Sequence, residues 1–348
     1  MSYTRALALL TSGLLWSATA EPVSAATPAS PPLLVSEERV LMGTQVIVKA
    51  VGGDRERLQT AVDAAFDEVS RLERLMSNFM PETELSRINR QAGKSPVPVS
   101  RELLWVIKRS LFFSALSEGA FDISFASVGK LWNFRTGVIP DPGAVKALLP
   151  FVNYQKIQVD DERSTVFLPF RQMEIGLGGI GKGYAMDRAM AVLNEHGIRN
   201  AMVMAGGDTL IRGTNGNDLW RVGLRDPDKA EGILAVLPLE DQAISTSGDY
   251  ERFFIKDGVR YHHILDTKTG YPAARCRSVT ILAPDAITSD ALSTTVFVLG
   301  PERGLALVER LDDVEAIIID RDGTIYLSSG LAGLGLGATT TTQRTPKP

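Results

Sequence analysis

The chain has 348 residues, enough for one large domain or two intimate ones with a sizeable core. Acidic and basic side chains nearly balance, at a net charge of −4, which argues against a nucleic-acid binder relying on a basic surface. The sole cysteine, Cys276, excludes an internal disulfide, thiol–thiol redox chemistry and cysteine-based zinc sites.

Residues 1–20 read as a secretory signal. Arg5 precedes an apolar core, Ala6–Trp16, and Ala18-Thr19-Ala20 offers an A-x-A cleavage site, with Val23-Ser24-Ala25 as a second. An uncleaved anchor is the alternative. The core is too short for a transmembrane helix, and no later apolar stretch is long enough. No cysteine follows it to carry a lipid anchor. The expectation is a periplasmic protein.

Residues 21–36, rich in Pro, Ala and Ser, read as a linker, and 37–328 as the folded domain. Arg39–Val51 is strand-like, with Val46 and Val48 alternating against polar neighbours. Arg57–Met76 is an amphipathic helix, with Leu58, Val62, Phe66, Val69, Leu72 and Met76 recurring at threes and fours. Helices follow at Glu82–Asn89 and Glu102–Ser117, then strands at Lys156–Val159 and Thr165–Phe170. The helix Gly183–Glu195 ends at His196-Gly197, a C-cap signature. Strands are expected at Ala201–Met204, Leu219–Leu224 and Ser278–Ala283. Phe253–Lys256 and Arg260–Leu265 flank Asp257-Gly258 as a hairpin. Helices at 287–298 and Glu302–Arg310 and a hairpin around Asp322-Gly323 close the domain. Residues 329–348, full of Gly, Thr and Pro, read as a disordered tail. The mixture predicts an α+β fold with largely antiparallel sheets and packed helices.

The densest chemical signal is Ile175–Asp187, where Gly176, Gly178, Gly179, Gly181 and Gly183 separate an apolar run from a helix. A loop so poor in side chains lets backbone N–H groups approach an anion, and the helix N-terminus adds a positive dipole end. Gly176-x-Gly178-x-x-Gly181 satisfies a dinucleotide fingerprint, with Asp208 as the acid that would follow it. The mid-chain position, without surrounding strand–helix units, weakens that reading. Gly176-x4-Gly181-Lys182 satisfies most of a P-loop, but residue 183 is glycine and leaves no hydroxyl for Mg²⁺. Close helix–strand packing also explains such glycines.

Asp290 and Thr294 lie four apart, on one face of a helix. A carboxylate with a hydroxyl suits a hard cation such as Mg²⁺; a helix cap or a solvated face would show the same pattern. Ser245–Arg252 and Tyr261–Pro272 are dense in polar residues, including His262, His263, Asp266 and Lys268. Adjacent strand residues face opposite sides, so at most one of the two histidines enters a given cleft.

Taken in order, Met42-Gly43-Thr44, Met76–Asn89, Gly119–Phe134, Leu177–Asp187, Ala205–Asp208, Thr246–Arg252, His263–Pro272 and Ser289–Gly300 resemble the FAD:protein FMN transferases, the ApbE family. The resemblance implies enzymes that bind FAD and Mg²⁺, cut the pyrophosphate, transfer FMN to a threonine hydroxyl of an acceptor protein and release AMP. It implies a metal held by Asp290 and Thr294 side chains, with backbone oxygens at or near Gly179 and Ser293. It implies FAD contacts at Met42, Phe79, Ala120, Phe121, Asp122, Lys182 and the His263-Ile264 strand. The acceptor would be a membrane or periplasmic redox protein, with no nucleic acid involved. A threonine hydroxyl needs a general base, for which His263 is the first candidate and Asp266 the second. Phe79 suits packing on a flat ring.

Three positions depart from the family pattern. Gly176 stands where the family usually has Asp; Glu174, two residues earlier, would face the same side only on a regular strand. Ala126-Ser127 replaces a usual Gly-Pro, and Phe79 a usual Tyr. A Mg²⁺-dependent FAD pyrophosphatase and a non-catalytic FAD-binding protein are the alternatives to transfer, with a Rossmann NAD enzyme behind both.

Overall fold

Alternating apolar residues open the fold as a hairpin. Leu33–Leu41 (β1) pairs antiparallel with Thr44–Gly52 (β2) across Met42-Gly43, whose φ values are 54° and 69°. The single strand expected over Arg39–Val51 is therefore folded back on itself, because two consecutive left-handed residues make a tight hairpin turn. The computed structural model describes residues 32–227, 229, 232–334 and 339–340. The expected signal segment and most of the expected linker lie outside them. β1 begins at Leu33, inside the segment read as linker, because its backbone finds partners along β2.

Helix α1 (Arg55–Met76) starts at the Asp54 N-cap, whose side chain accepts from the N–H groups of Glu56 and Arg57. Its buried face is the one the periodicity predicts, from Leu58 to Met76. Next come α2 (Glu84–Arg90), β3 (Val97–Pro98), α3 (Arg101–Leu116), α4 (Ala126–Gly129) and α5 (Pro142–Leu148). β4 (Gln158–Asp160) and β5 (Thr165–Phe167) join β3 in a small antiparallel sheet. Lys156, expected to begin a strand, ends a 3-10 turn instead.

The second half runs α6 (Gly181–Glu195), β6 (Asn200–Ala205), β7 (Asp208–Arg212), β8 (Trp220–Arg225), β9 (Ile233–Leu239) and β10 (Ala243–Gly248). It continues with β11 (Phe253–Lys256), β12 (Val259–His262), β13 (Cys276–Ala283), α7 (Ala286–Leu299), α8 (Pro301–Val308), β14 (Glu315–Asp320), β15 (Ile325–Leu327) and β16 (Thr339–Thr340). β12 stops at His262, so His263 and Ile264 leave the hairpin. A 3-10 turn at Ser329–Leu331 and strand β16, which pairs with β15, fall in the segment expected to be disordered. Backbone hydrogen bonding there needs no apolar side chains, so composition did not reveal it.

Among the described residues the main sheet has the order β1-β2-β6-β7-β10-β13-β14-β15-β16, antiparallel throughout except for β15–β16. The fold is α+β with mixed, largely antiparallel sheets, as expected. One face of the main sheet, with Val48, Val203, Val279 and Ile281, packs on α1, α6 and α7 in the principal core. The opposite face, with Met202, Ile244, Leu282 and Ile317, is covered by Trp220, Leu224, Leu237 and Leu239 of the β8–β9 ribbon.

Helices α6 and α7 approach closely because residue 183 is glycine. A Cβ there would lie 2.3 Å from the Ala286 carbonyl oxygen and 2.7 Å from Ile287 Cα. Replacing glycine by alanine inside a helix ordinarily stabilises by roughly 1 kcal/mol. Here the backbone contact reverses the sign. Gly183→Ala is expected to lower stability by roughly 1–3 kcal/mol, read as a lower urea midpoint at unchanged m-value.

Candidate active site

The glycine loop hangs between two fixed points. Ile175 exchanges both backbone bonds with the Asn89 side chain at 2.9 Å, and Gly176 N–H donates to the Ile123 carbonyl at 2.8 Å. At its far end α6 begins without a side-chain cap from Ile180. Its first turn is closed instead by α7, where Asp290 Oδ2 accepts from Gly183 N–H at 2.9 Å. A helix N-terminus and a glycine loop thus open together beside a carboxylate.

The loop's glycines make room for particular neighbours. A Cβ on Gly179 would lie 3.2 Å from the Phe121 ring and 3.4 Å from Thr294 Oγ1. One on Gly181 would lie 3.8 Å from Met42 Cε, whereas one on Gly178 would meet open space. Met42, Phe121, Gly179 and Thr294, expected together, are therefore brought together. The Met42-Gly43 turn is held there by Glu73, which accepts from Met42 N–H at 2.8 Å, and by Arg252, which donates to the Gly43 carbonyl.

Helix α7 supplies the acid and the hydroxyl. It is buried at every position except Thr294. Asp290 stands one turn earlier, and its Oδ1 lies 3.0 Å from Lys182 Nζ. Lys182 also donates to Asp208 Oδ2, while Asp208 Oδ1 accepts from Thr246 N–H at 3.0 Å. About a quarter of the Lys182 side chain stays open to solvent, at 23 %, whereas both aspartates are buried. Burial holds Asp208 above the ordinary carboxylate range, with Lys182 pulling against it and Asp290 adding to it. Asp208 is the site residue that sequence reasoning missed. It stood only as the acid of a dinucleotide fingerprint and as the end of the Ala205–Asp208 block.

The other expected residues divide. His263 reaches the site electrostatically: burial, then Arg252, His262 and Lys182, lower its pKa to about 4, so its ring is neutral at pH 7. Its Nδ1 is buried without a hydrogen-bond partner. Neighbouring His262 is turned away, its Nε2 2.9 Å from the Ala273 carbonyl. Ile264 and Ala120 are buried. Asp266 Oδ1 accepts from Lys268 N–H at 2.8 Å, which holds the turn leading to Gly270. Asp122 faces inward, accepting from Ser124 and from Tyr154 N–H. Phe79 stands 91 % exposed at the tip of its loop. Glu174 is paired with Lys130 at 2.7 Å and offers the loop no replacement carboxylate.

Among the described residues no three His, Cys, Asp or Glu side chains form a metal cage. A cation here would draw on one carboxylate, a hydroxyl and backbone oxygens, a donor set that suits a hard ion. The buried, orphaned His263 nitrogen and the half-buried Thr294 hydroxyl fit a ligand lying across the loop.

An α+β fold with a glycine loop at a helix N-terminus and a hard-oxygen donor set beside it fits a phosphate-handling protein. The ApbE family model matches residues 42–318. The chain is 35 % identical to a Treponema pallidum FAD:protein FMN transferase over 85 % of this chain and 87 % of that protein. It is 34 % identical to a Klebsiella pneumoniae FAD:protein FMN transferase over 84 % and 92 %. Among solved structures, the Thermotoga maritima ApbE protein superposes with a TM-score of 0.80 at 32 % identity, covering 86 % of this chain and 98 % of that one. The Vibrio cholerae flavin transferase ApbE does so at 0.76 and 31 %, with the same coverage. The chain belongs to the ApbE family.

The α6–α7 junction carries its own titration. Asp187 accepts from Ala286 and Ile287 N–H, each at 2.9 Å, and so caps α7 from α6. Burial outweighs these bonds and raises its pKa to about 6. The unfolded value is about 3.9. The native state therefore holds the extra proton between these values, and the associated stabilisation is full below about pH 4 and lost as pH rises through 6. Comparing Asp187→Asn with the native protein in urea should show the native protein losing up to about 3 kcal/mol relative to the variant between pH 4 and 7. A difference that stays constant with pH would contradict this assignment.

Proposed function

We propose that this protein transfers the FMN moiety of FAD to a threonine hydroxyl of an acceptor protein and releases AMP, with Mg²⁺ held by Asp290 and Thr294. The observation that carries the reading is the single opening in α7: Thr294 beside Gly179, one turn beyond Asp290. The relatives are named FAD:protein FMN transferases. When bound, Mg²⁺ neutralises the pyrophosphate and makes its phosphorus a better electrophile.

The residues of the chain do the rest. Backbone N–H groups of the glycine loop and the start of α6 accommodate the anionic oxygens, and Lys182 adds a point charge. Met42 and Phe121 wall the site next to the loop. The acceptor hydroxyl oxygen bonds to the FMN phosphorus as the bond from that phosphorus to the bridging oxygen breaks, and AMP leaves with that oxygen. The hydroxyl proton passes to His263 Nδ1, which is neutral and unpartnered. Asp266 already serves its turn and is the weaker base candidate. We further propose that the acceptor is a membrane or periplasmic redox protein. Support for export comes from the sequence alone: Arg5, the apolar Ala6–Trp16 and the Ala18-Thr19-Ala20 cleavage site.

The test mixes protein, FAD, Mg²⁺ and a threonine-bearing acceptor domain, then looks for flavin fluorescence on the acceptor in a denaturing gel. Labelling with AMP release, lost in EDTA, is expected. Free FMN and AMP without labelling would establish hydrolysis, and retained FAD without products a binding protein. Asp290→Asn should abolish labelling. His263→Ala should slow it by about 10²-fold or more while FAD still binds. Full activity in either variant would remove that residue from the mechanism.

A further inference from the structure

Both oxygens of the proposed metal carboxylate are already engaged. Asp290 Oδ2 caps Gly183 N–H at 2.9 Å, and Oδ1 is 3.0 Å from the Lys182 ammonium. A divalent cation and an ammonium cannot both sit against Oδ1, since at such separations in a partly buried site their repulsion is large. Lys182 has a second partner. Asp208 Oδ2 accepts from the same Nζ, and Thr246 N–H at 3.0 Å fixes the other oxygen of that carboxylate. Lys182 can leave Asp290 without losing its counter-charge.

We propose that Lys182 is an internal counter-cation that occupies Asp290 in the metal-free protein and is handed to Asp208 when a divalent cation enters. The proposal rests on the metal reading above. It makes Asp208 a positioning residue that acts through Lys182, and it makes metal entry the event that turns the ammonium toward an anionic diphosphate. Charge balance favours the same order. Two carboxylates and one ammonium leave one excess negative charge, which a divalent cation reverses and a diphosphate linkage restores. Each imbalance is costly where the carboxylates are buried. The metal and the diphosphate therefore bind cooperatively, by linkage.

Mn²⁺ titration followed by electron paramagnetic resonance, without FAD, tests this directly. Lys182→Gln is expected to bind Mn²⁺ about tenfold more tightly than the native protein, the size expected for removing one close charge. Asp208→Asn should weaken Mn²⁺ binding in the native background, because a released Lys182 then has no partner. In the Lys182→Gln background the same change should alter affinity only within about twofold. Equal weakening in both backgrounds, or no gain in Lys182→Gln, overturns the handover. Undiminished Mn²⁺ binding by Asp290→Asn overturns instead the metal assignment beneath it. Lys182→Met, with thermal melts of each variant, repeats the comparison should the glutamine variant fail to fold.

Discussion

The close approach of α6 and α7 is the constraint on which the site depends. Only because residue 183 lacks a side chain can the Ala286 carbonyl and Ile287 pass so near the start of α6. That contact carries Asp290 to the uncapped first turn of α6, where it takes the place of a side-chain cap. In return Asp187, one turn further along α6, caps α7 through Ala286 and Ile287. Each helix thus satisfies the N-terminus of the other. The glycine loop is held where both positive helix ends converge, and the Asp290 carboxylate is spent on geometry as well as charge.

What the sequence made legible follows from locality. The periodicity of α1, the Asp290/Thr294 spacing and the clustered glycines are all written within a few residues, and each appears in place. Asp208 was not legible as a site residue because its role depends on partners at 182, 246 and 290, all distant in the chain. Strand β10 was missed for a related reason. Its Ser245, Thr246 and Ser247 carry no apolar alternation, and their hydroxyls pair instead with hydroxyls from α7 and β13.

The departures from the family pattern also look different in three dimensions. Position 176, where the resemblance leads to the expectation of a carboxylate, is Gly, and position 126 carries the methyl group of Ala. The two meet: a Cβ on Gly176 would stand 3.3 Å from Ala126 Cβ, with the Phe125 ring at 3.7 Å. The Ala126 methyl group therefore packs where a side chain at position 176 would begin. Ser127, the second residue of that departure, bonds the backbone of Glu174 through both its donor and acceptor capacity. With Asn89 on Ile175 and the Ile123 carbonyl on Gly176, neutral groups hold the backbone from Glu174 to Gly176. The loop's position therefore does not depend on a carboxylate at 176.

The rotation of α7 needs a separate cause. A helix buried nearly all round has no hydrophobic face to orient it, so apolar burial alone leaves its rotation weakly determined. Two hydroxyl pairs supply the missing direction. Ser289 meets Ser245 at 2.8 Å, and Ser293 meets Ser247 at 2.9 Å. Residues 245 and 247 share one face of β10, and 289 and 293 share one face of α7, so the pairs form a short polar seam. Rotating the helix would break both pairs and leave the buried Ser245 hydroxyl without its partner, at a cost of roughly 1–3 kcal/mol. Asp290 and Thr294 follow the seam residues by one position, about 100° further round the helix. The seam that holds the serines against the sheet is thus what aims the carboxylate and the hydroxyl at the glycine loop.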